Sequence, residues 1–456
     1  MDAAERALLD AVIEAPDDDA PRLVYADWLQ GRGDPRGELI QLQCQLASHP
    51  DDERFRDIRI AENKLLKTHG AAWKQPLLDV LPPPMHADIY DFEYTRGFVE
   101  MASISLACLP RLDALFAVAP LIRHLRLVPG IIGDLGARLP KPRLGDALAS
   151  PWFARLHTLE LRLAGGGNEL TVAVAKAETL RALRTLRISG SVWGEALNYY
   201  DAPPGELAID DAGIVTLAAA KNLAKVEVLD LDSNRMTSAG VTAIANGPWK
   251  LRELVLSHNL IELGSNKREA ITALGSPALA NLEVLGLAST GMEPREVGAL
   301  FGGPHLAKLR VLDLERSRIG VDGAIAMCKS FALPALRRLR LERNALCDAG
   351  AVAIASCDKL ANLTSLEAGH NLMGRTGGLA IASSPHFANL ERLTLNEPRW
   401  KPEMKDVFAA SPTLAKAKIY LGGRLVGRGK TSAITPPKAP KKPASKKPAR
   451  KPAKKT

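Results

Sequence analysis

Leu336-Arg-Arg-Leu339-Arg-Leu341-Glu-Arg-Asn344-Ala-Leu346-Cys-Asp-Ala-Gly350 decides the reading of this chain, because it is one copy of a pattern that returns. The unit L-x-x-L-x-L-x-x-N appears again as Leu229-Asp-Leu231 with Asn234 and as Leu254-Val-Leu256 with Asn259. Leu366-Glu-Ala368 with Asn371 carries one substitution. Copies without the asparagine are Leu159-Glu-Leu161, Leu186-Arg-Ile188, Leu285-Gly-Leu287, Leu312-Asp-Leu314 and Leu393-Thr-Leu395. From Leu159 onward the central leucines stand 27, 43, 25, 31, 27, 27, 27 and 27 residues apart. A recurring period of this length marks stacked units, each too small to bury its own apolar face.

Two further elements keep the same phase. Ile209-Asp-Asp-Ala-Gly213, Met236-Thr-Ser-Ala-Gly240, Ile319-Gly-Val-Asp-Gly323, Leu346-Cys-Asp-Ala-Gly350 and Met373-Gly-Arg-Thr-Gly377 each open an Ala/Ile/Leu-rich helix. Ser276-Pro277, Gly303-Pro304 and Ser384-Pro385 each precede a leucine by five residues. In L-x-L the two leucines share one side of a short strand and the x residues point the other way. Asn at the ninth position can bond to the backbone groups that the turn leaves unpaired. A returning helix then makes the next strand parallel to the last. A 27-residue unit with a full helix resembles the ribonuclease-inhibitor type of leucine-rich repeat. That resemblance implies an α/β solenoid, a curved horseshoe with parallel strands inside and helices outside. About ten repeats are expected over residues 90–423, with Leu414–Tyr420 as a polar closing strand.

Residues 1–80 read differently. Apolar residues at helical spacing predict helices over Ala3–Glu14, Pro21–Gln30, Gly37–Ala47 and from Asp52 to about His69, with Pro82-Pro83-Pro84 closing the segment. The stretch Asp18-Asp-Ala-Pro-Arg22-Leu-Val-Tyr25-Ala-Asp27-Trp28-Leu29, followed by Gly33-Asp-Pro-Arg36-Gly-Glu-Leu-Ile-Gln-Leu-Gln43, resembles the repeat-companion domain. That family is a short helical module found ahead of repeat arrays in some bacteria, and Arg96-Gly97-Phe98-Val99-Glu100 looks like its join to the repeats. The resemblance covers roughly 45 residues and implies architecture but no chemistry. Tyr25, Trp28 and Leu29 are expected to pack the helices, with Asp27 and Arg36 placed to pair. A cap is expected here because a bare solenoid end would be adhesive.

The net charge of +9 belongs to the C-terminus. Arg424–Thr456 holds 12 Lys/Arg and no acid, which leaves 48 basic against 51 acidic residues elsewhere, or −3. Residues 427–456, rich in Lys, Pro and Ala, are expected to be disordered and resemble the tails of linker-histone-like proteins. Lys441, Lys442, Lys446, Lys447, Arg450, Lys451, Lys454 and Lys455 are the candidates for holding nucleic acid or another polyanion without reading bases. Five cysteines (Cys44, Cys108, Cys328, Cys347, Cys357) form no C-x-x-C pair and are expected to be reduced thiols of a cytoplasmic protein. The Met1-Asp-Ala-Ala-Glu-Arg start is not expected to be a signal peptide, and no run of about 18 apolar residues occurs in the sequence.

Nothing in the chain points to an enzyme. G-x-S-x-G, H-E-x-x-H and the P-loop are missing, Gly165-Gly166-Gly167 reads as a turn, and no cofactor or small-molecule substrate is expected. His258 and His370 stand four repeats apart, about 20 Å at the strand spacing, too far to share a metal. The expected function is a non-catalytic scaffold that binds a protein partner through the outward strand positions of the concave face. These are Glu160, Arg162, Arg187, Asp230, Asp232, Glu253, Asp313, Glu315, Arg338, Arg340, Glu342, Glu367 and Arg392. A 43-residue interval hides an insertion with Trp193, Tyr199 and Tyr200, aromatic anchors at the rim in a chain with few aromatics. The alternatives are nucleic-acid association through the tail, or regulation of a GTPase as in the Ran-type activating proteins that share the repeat class.

Overall fold

The computed structural model describes residues 2–48, 55–82, 90–128, 144–162, 167–190, 208–263, 266–398 and 400–427. The aromatic insertion at 193–200 and the lysines at 441–455 lie outside them, as do Gly165 and Gly166.

Four helices come first: α1 (Ala3–Glu14), α2 (Asp19–Gln30), α3 (Arg36–Ser48) and α4 (Arg56–Asp79). Asp2 and Asp18 cap the first two, each accepting a backbone N–H with its carboxylate. Helix α4 runs a further ten residues past the expected end and passes through Pro76, because Leu77 is buried against the repeats and Trp73 lies against His69 and Tyr94.

The strands are β1 (Asp91–Thr95), β2 (Phe98–Ser105), β3 (His124–Val128), β4 (Thr158–Arg162), β5 (Thr185–Ser189), β6 (Val228–Asp230) and β7 (Glu253–Val255). They continue with β8 (Val284–Gly286), β9 (Val311–Asp313), β10 (Arg338–Arg340), β11 (Ser365–Glu367), β12 (Arg392–Leu395), β13 (Lys418–Leu421) and β14 (Arg424–Gly427). All fourteen form one sheet in chain order. The pairs from β2 to β13 are parallel, while β1–β2 and β13–β14 are antiparallel hairpins closing the two ends. The helices between them are α5 (Leu112–Val118), α6 (Leu144–Leu148), α7 (Gly167–Lys176), α8 (Asp211–Ala218), α9 (Ser238–Ala245) and α10 (Lys267–Leu274). Then follow α11 (Pro294–Phe301), α12 (Gly320–Ser330), α13 (Cys347–Ala355), α14 (Arg375–Ser383) and α15 (Glu403–Ala409), and consecutive members from α6 to α15 pack on one another.

The leucine phase sets this register. Leu159, Leu186, Leu229, Leu254, Leu285, Leu312, Leu339, Leu366 and Leu393 are Cα partners in sequence across the sheet, and each is fully buried. Truncating such a leucine to Ala costs about 2–5 kcal/mol. Two earlier units precede these leucines, the first on the strand expected near Phe98–Glu100. Leu125 and Leu127 on β3 repeat the pattern, and β2 supplies Ala102 and Ile104 in place of leucine.

The asparagines tie one coil to the next. Asn344 is fully buried; its Oδ1 accepts from the N–H of Ser317 and Ile319, and its Nδ2 donates to Leu314 O at 2.7 Å. Asn234, Asn259 and Asn371 repeat the arrangement. Where the asparagine is missing, a hydroxyl of Thr290 or Ser317 donates to Leu287 O instead. The residue before each of these positions turns left-handed: Ser233, His258, Ser289, Arg316, Arg343 and His370 have φ of 54° to 58°. The D-A-G element has a second use. Asp211 accepts from the N–H of Thr237 and Gly240 in the following coil, and Asp348 accepts from Gly374 and Gly377. Glycine is required there, since a Cβ on Gly240 would come within 2.3 Å of Met236 Cγ.

Arg22 joins the helices to the sheet. Its side chain is fully buried, donates to Glu100 at 2.6 Å and also reaches the carbonyls of Pro16, Thr95 and Arg96. Removing one partner of a buried pair of this kind costs about 3–5 kcal/mol. Arg96 and Gly97, both at positive φ, form the β1–β2 turn, so Arg96-Gly97-Phe98-Val99-Glu100 is a turn running into a strand. Arg123 adds a contact to Asp17. The expected Asp27–Arg36 pair is not formed. Arg36 folds back on Asp34, two residues away at the start of α3, where the shorter reach wins, and Asp27 on α2 accepts from Gln41.

Candidate functional site

With the leucines turned inward, alternate positions of each strand face away from the helices. Two such positions per strand are fixed by the register, and a third follows just beyond. The register places Arg126, Glu160, Arg187, Asp230, Val255, Gly286, Asp313, Arg340 and Glu367 side by side on β3 to β11. Along this row the charge alternates in sign on both flanks of an uncharged centre, so neighbouring strands carry cross-strand ion pairs.

At the N-terminal flank Glu160 is only 3% exposed and accepts from His124 Nε2 at 3.0 Å and Arg126 Nε at 2.6 Å. Burial works against its charge, but these two donors outweigh burial and pull its pKa from 4.5 down to about 2. Arg162 approaches the same carboxylate at 3.7 Å. Arg187 lies between Glu160 and Asp230 and is 3.8 Å from Glu253. Burial raises the pKa of Asp230, and the Asp232 charge adds to this, against a bond from the Asp232 N–H. His258, thrown outward by its left-handed backbone, bonds to Asp232 at 2.8 Å. That contact raises the imidazole pKa. His370 instead meets Asn396 at 2.7 Å.

At the C-terminal flank Arg340 stands among four carboxylates: Asp313 at 2.6 Å, Glu315 at 3.1 Å, Glu367 at 3.3 Å and Glu342 at 3.7 Å. Burial alone would lower its pKa, but the surrounding carboxylates raise it. Burial and the charges of Glu315 and Glu367 push Glu342 upward. Arg316 and Arg343 reach Glu315 from the turns at 3.7 and 4.0 Å. Arg338 is exposed on β10, and Arg392 on β12 lies over the Tyr420 ring at 4.8 Å. Between the flanks sit Val255, Val284, Gly286, Ala288 and Val311, an uncharged saddle that reading for charges alone passes over. The sequence signal for it was available: Val255, Gly286 and Ala288 occupy repeat positions that hold acids on both flanks, and Val284 and Val311 lie between Glu253 and Arg338.

On β6 to β11 the outward positions named from the sequence therefore hold seven carboxylates (Asp230, Asp232, Glu253, Asp313, Glu315, Glu342, Glu367) against Arg338 and Arg340. Such a face attracts cations. No helix among the described residues is long and apolar enough to cross a membrane.

Residues 222–245 and 305–328 match the family described as Leucine Rich repeat. The chain thus carries leucine-rich repeats at these residues, in phase with the register of the sheet. No curated protein matches it. Among solved structures, a chain of the Rad7 and Elc1 complex in yeast is 14% identical with a TM-score of 0.37, over 71% of this chain and 72% of that one. A protein from Bacteroides fragilis is 14% identical with a TM-score of 0.35, over 67% of this chain and 66% of that one.

Proposed function

We propose that the outward face of β6 to β11 is the docking surface of a protein-interaction scaffold, and that its partner presents a basic segment with an apolar side chain for the saddle. The excess of carboxylates on either side of Val255, Val284, Gly286, Ala288 and Val311 supports this reading. Arg340 and Arg187 hold the flanking acids in place before a partner arrives, which lowers the ordering cost of binding. Trp193, Tyr199 and Tyr200 are proposed to grip the same partner from the rim. In this reading residues 1–80 are a repeat-companion cap that seals the first coil of an array over 90–423. Residues 427–456 are proposed as an accessory basic tail, whose lysines favour a second, weaker attachment to nucleic acid.

The test is affinity purification from the native cell with the full chain and two variants. One carries Asp232→Asn, Glu253→Gln, Glu315→Gln and Glu342→Gln; the other carries Trp193→Ala, Tyr199→Ala and Tyr200→Ala. A specific partner should be recovered with the parent and lost with the first variant while its melting curve stays close to the parent's. Equal recovery with both would remove the face from the account.

A further inference from the structure

Cys328 and Cys357 stand 29 residues apart, yet they are neighbours across two coils. Cys328 lies in the last turns of α12, and Cys357 caps the short turn Asp358–Leu360 that follows α13. Their thiols are within reach of each other. The Cys328 S–H also has Ala353 O as an acceptor, at 3.6 Å.

The repeat phase explains the meeting. One period later the equivalent residues are Ala355 and Ser384, and two periods later they are Ala382 and Ser411. In both, the serine donates across the coil boundary to the alanine carbonyl. This boundary therefore has a fixed geometry that brings the two positions together, and only between these coils does it hold two thiols. Cys357 is the more acidic of the pair. The neighbouring Cys328 thiol lowers its pKa first, and the N–H groups of Lys359 and Leu360 lower it further against the effect of burial. The same contact in turn raises Cys328.

We infer that Cys328 and Cys357 are a redox site that a hydroperoxide converts to a disulfide clamping the coil of β9 to the coil of β10. The Cys357 thiolate attacks one peroxide oxygen, the O–O bond breaks, and hydroxide leaves. The Cys328 sulfur then attacks the sulfenic sulfur of Cys357. The S–S bond forms as the S–O bond breaks, and water leaves with the Cys328 proton. Both thiols are oxidised and one peroxide is reduced to two waters once the hydroxide is protonated. Cys328 is half-buried against the core, and Cys357 is buried.

The full chain is treated with hydrogen peroxide, blocked with iodoacetamide and mapped by mass spectrometry. Cys328 and Cys357 should be lost to alkylation one for one, with a cross-linked peptide lighter by two hydrogens, while the half-buried Cys347 stays alkylated. The variants Cys328→Ala and Cys357→Ser copy residues that the next two coils already use, so both should fold. In Cys328→Ala the sulfenic acid at Cys357 should persist and react with dimedone. Loss of Cys347 before the pair, or Cys357 carried to sulfinic acid in the parent without the cross-link, overturns the inference.

Discussion

Glu160 offers a sharp test of whether charge on the outward face is a structural element as well as a docking one. Its carboxylate is buried with Arg126 and His124 as donors, and its pKa falls from 4.5 to about 2. A difference of that size corresponds to about 3 kcal/mol of folding free energy. Because the folded-state pKa is the lower one, this stability is present above pH 4.5 and disappears as the pH falls toward 2. Glu160→Gln keeps an acceptor of the same size but removes the charge. At pH 7 the variant should be about 3 kcal/mol less stable, since its two donors lose a charged partner. Urea unfolding of parent and variant at several pH values reads the gap directly. Other acids titrate in both proteins, so only the difference between them belongs to Glu160. The gap should close as the parent is acidified to about pH 2. Hydrogen exchange should place the loss in β3 to β5, because each coil leans on its neighbours. A gap that stays constant from pH 7 to pH 2.5, or one below about 1 kcal/mol at neutral pH, would refute the assignment.

Asn344→Ala should destabilise by about 2–4 kcal/mol in denaturant, because the N–H groups of Ser317 and Ile319 and the carbonyl of Leu314 lose their partner in a dry site; Asn246→Ala, at an exposed bond to Thr242, should change stability by less than about 0.5 kcal/mol. Arg340→Met leaves four carboxylates facing one another and should cost about 1–2 kcal/mol at pH 7, regained as the pH is lowered toward 4. The same variant should bind a polylysine peptide more tightly in low salt by fluorescence anisotropy, and weaker binding would contradict the docking surface. Removing residues 428–456 should lower DNA affinity and flatten its dependence on salt concentration, since about 0.9 of a counterion is released per phosphate contact. Unchanged affinity in a filter-binding assay would leave the tail without that role.

Most of the sheet was legible because L-x-L at a 27-residue period fixes both the inward face and the strand register. Leu159 through Leu393 needed no further information. The same phase makes Asp313, Arg340 and Glu367 cross-strand neighbours, since they stand 27 residues apart at one repeat position. The first coils were harder. On β2 the inward positions are Ala102 and Ile104, which any apolar strand could carry, and β1 pairs antiparallel outside the period. The joint made by Arg22 and Glu100 spans 78 residues between two different architectures, so no spacing announces it. The cysteine pair was legible in principle and missed in practice. C-x-x-C spacing was the wrong ruler, and the repeat period was the right one. For α4, Pro76 suggests an ending, but the burial of Leu77 prevails over local propensity.

The reversed strands at the two ends bear on what happens when many molecules share one solution. A stack of coils is in principle extendable, because the last coil offers the next molecule the same edge that each coil offers its neighbour. Here β1 and β14 turn that edge around. An incoming first coil would meet a strand running the wrong way, bearing the exposed Arg424 where a leucine should wait. Head-to-tail stacking is thereby opposed at both ends, so a chain cut back to residue 421, which keeps the reversed β1, should not lengthen into filaments on a sizing column.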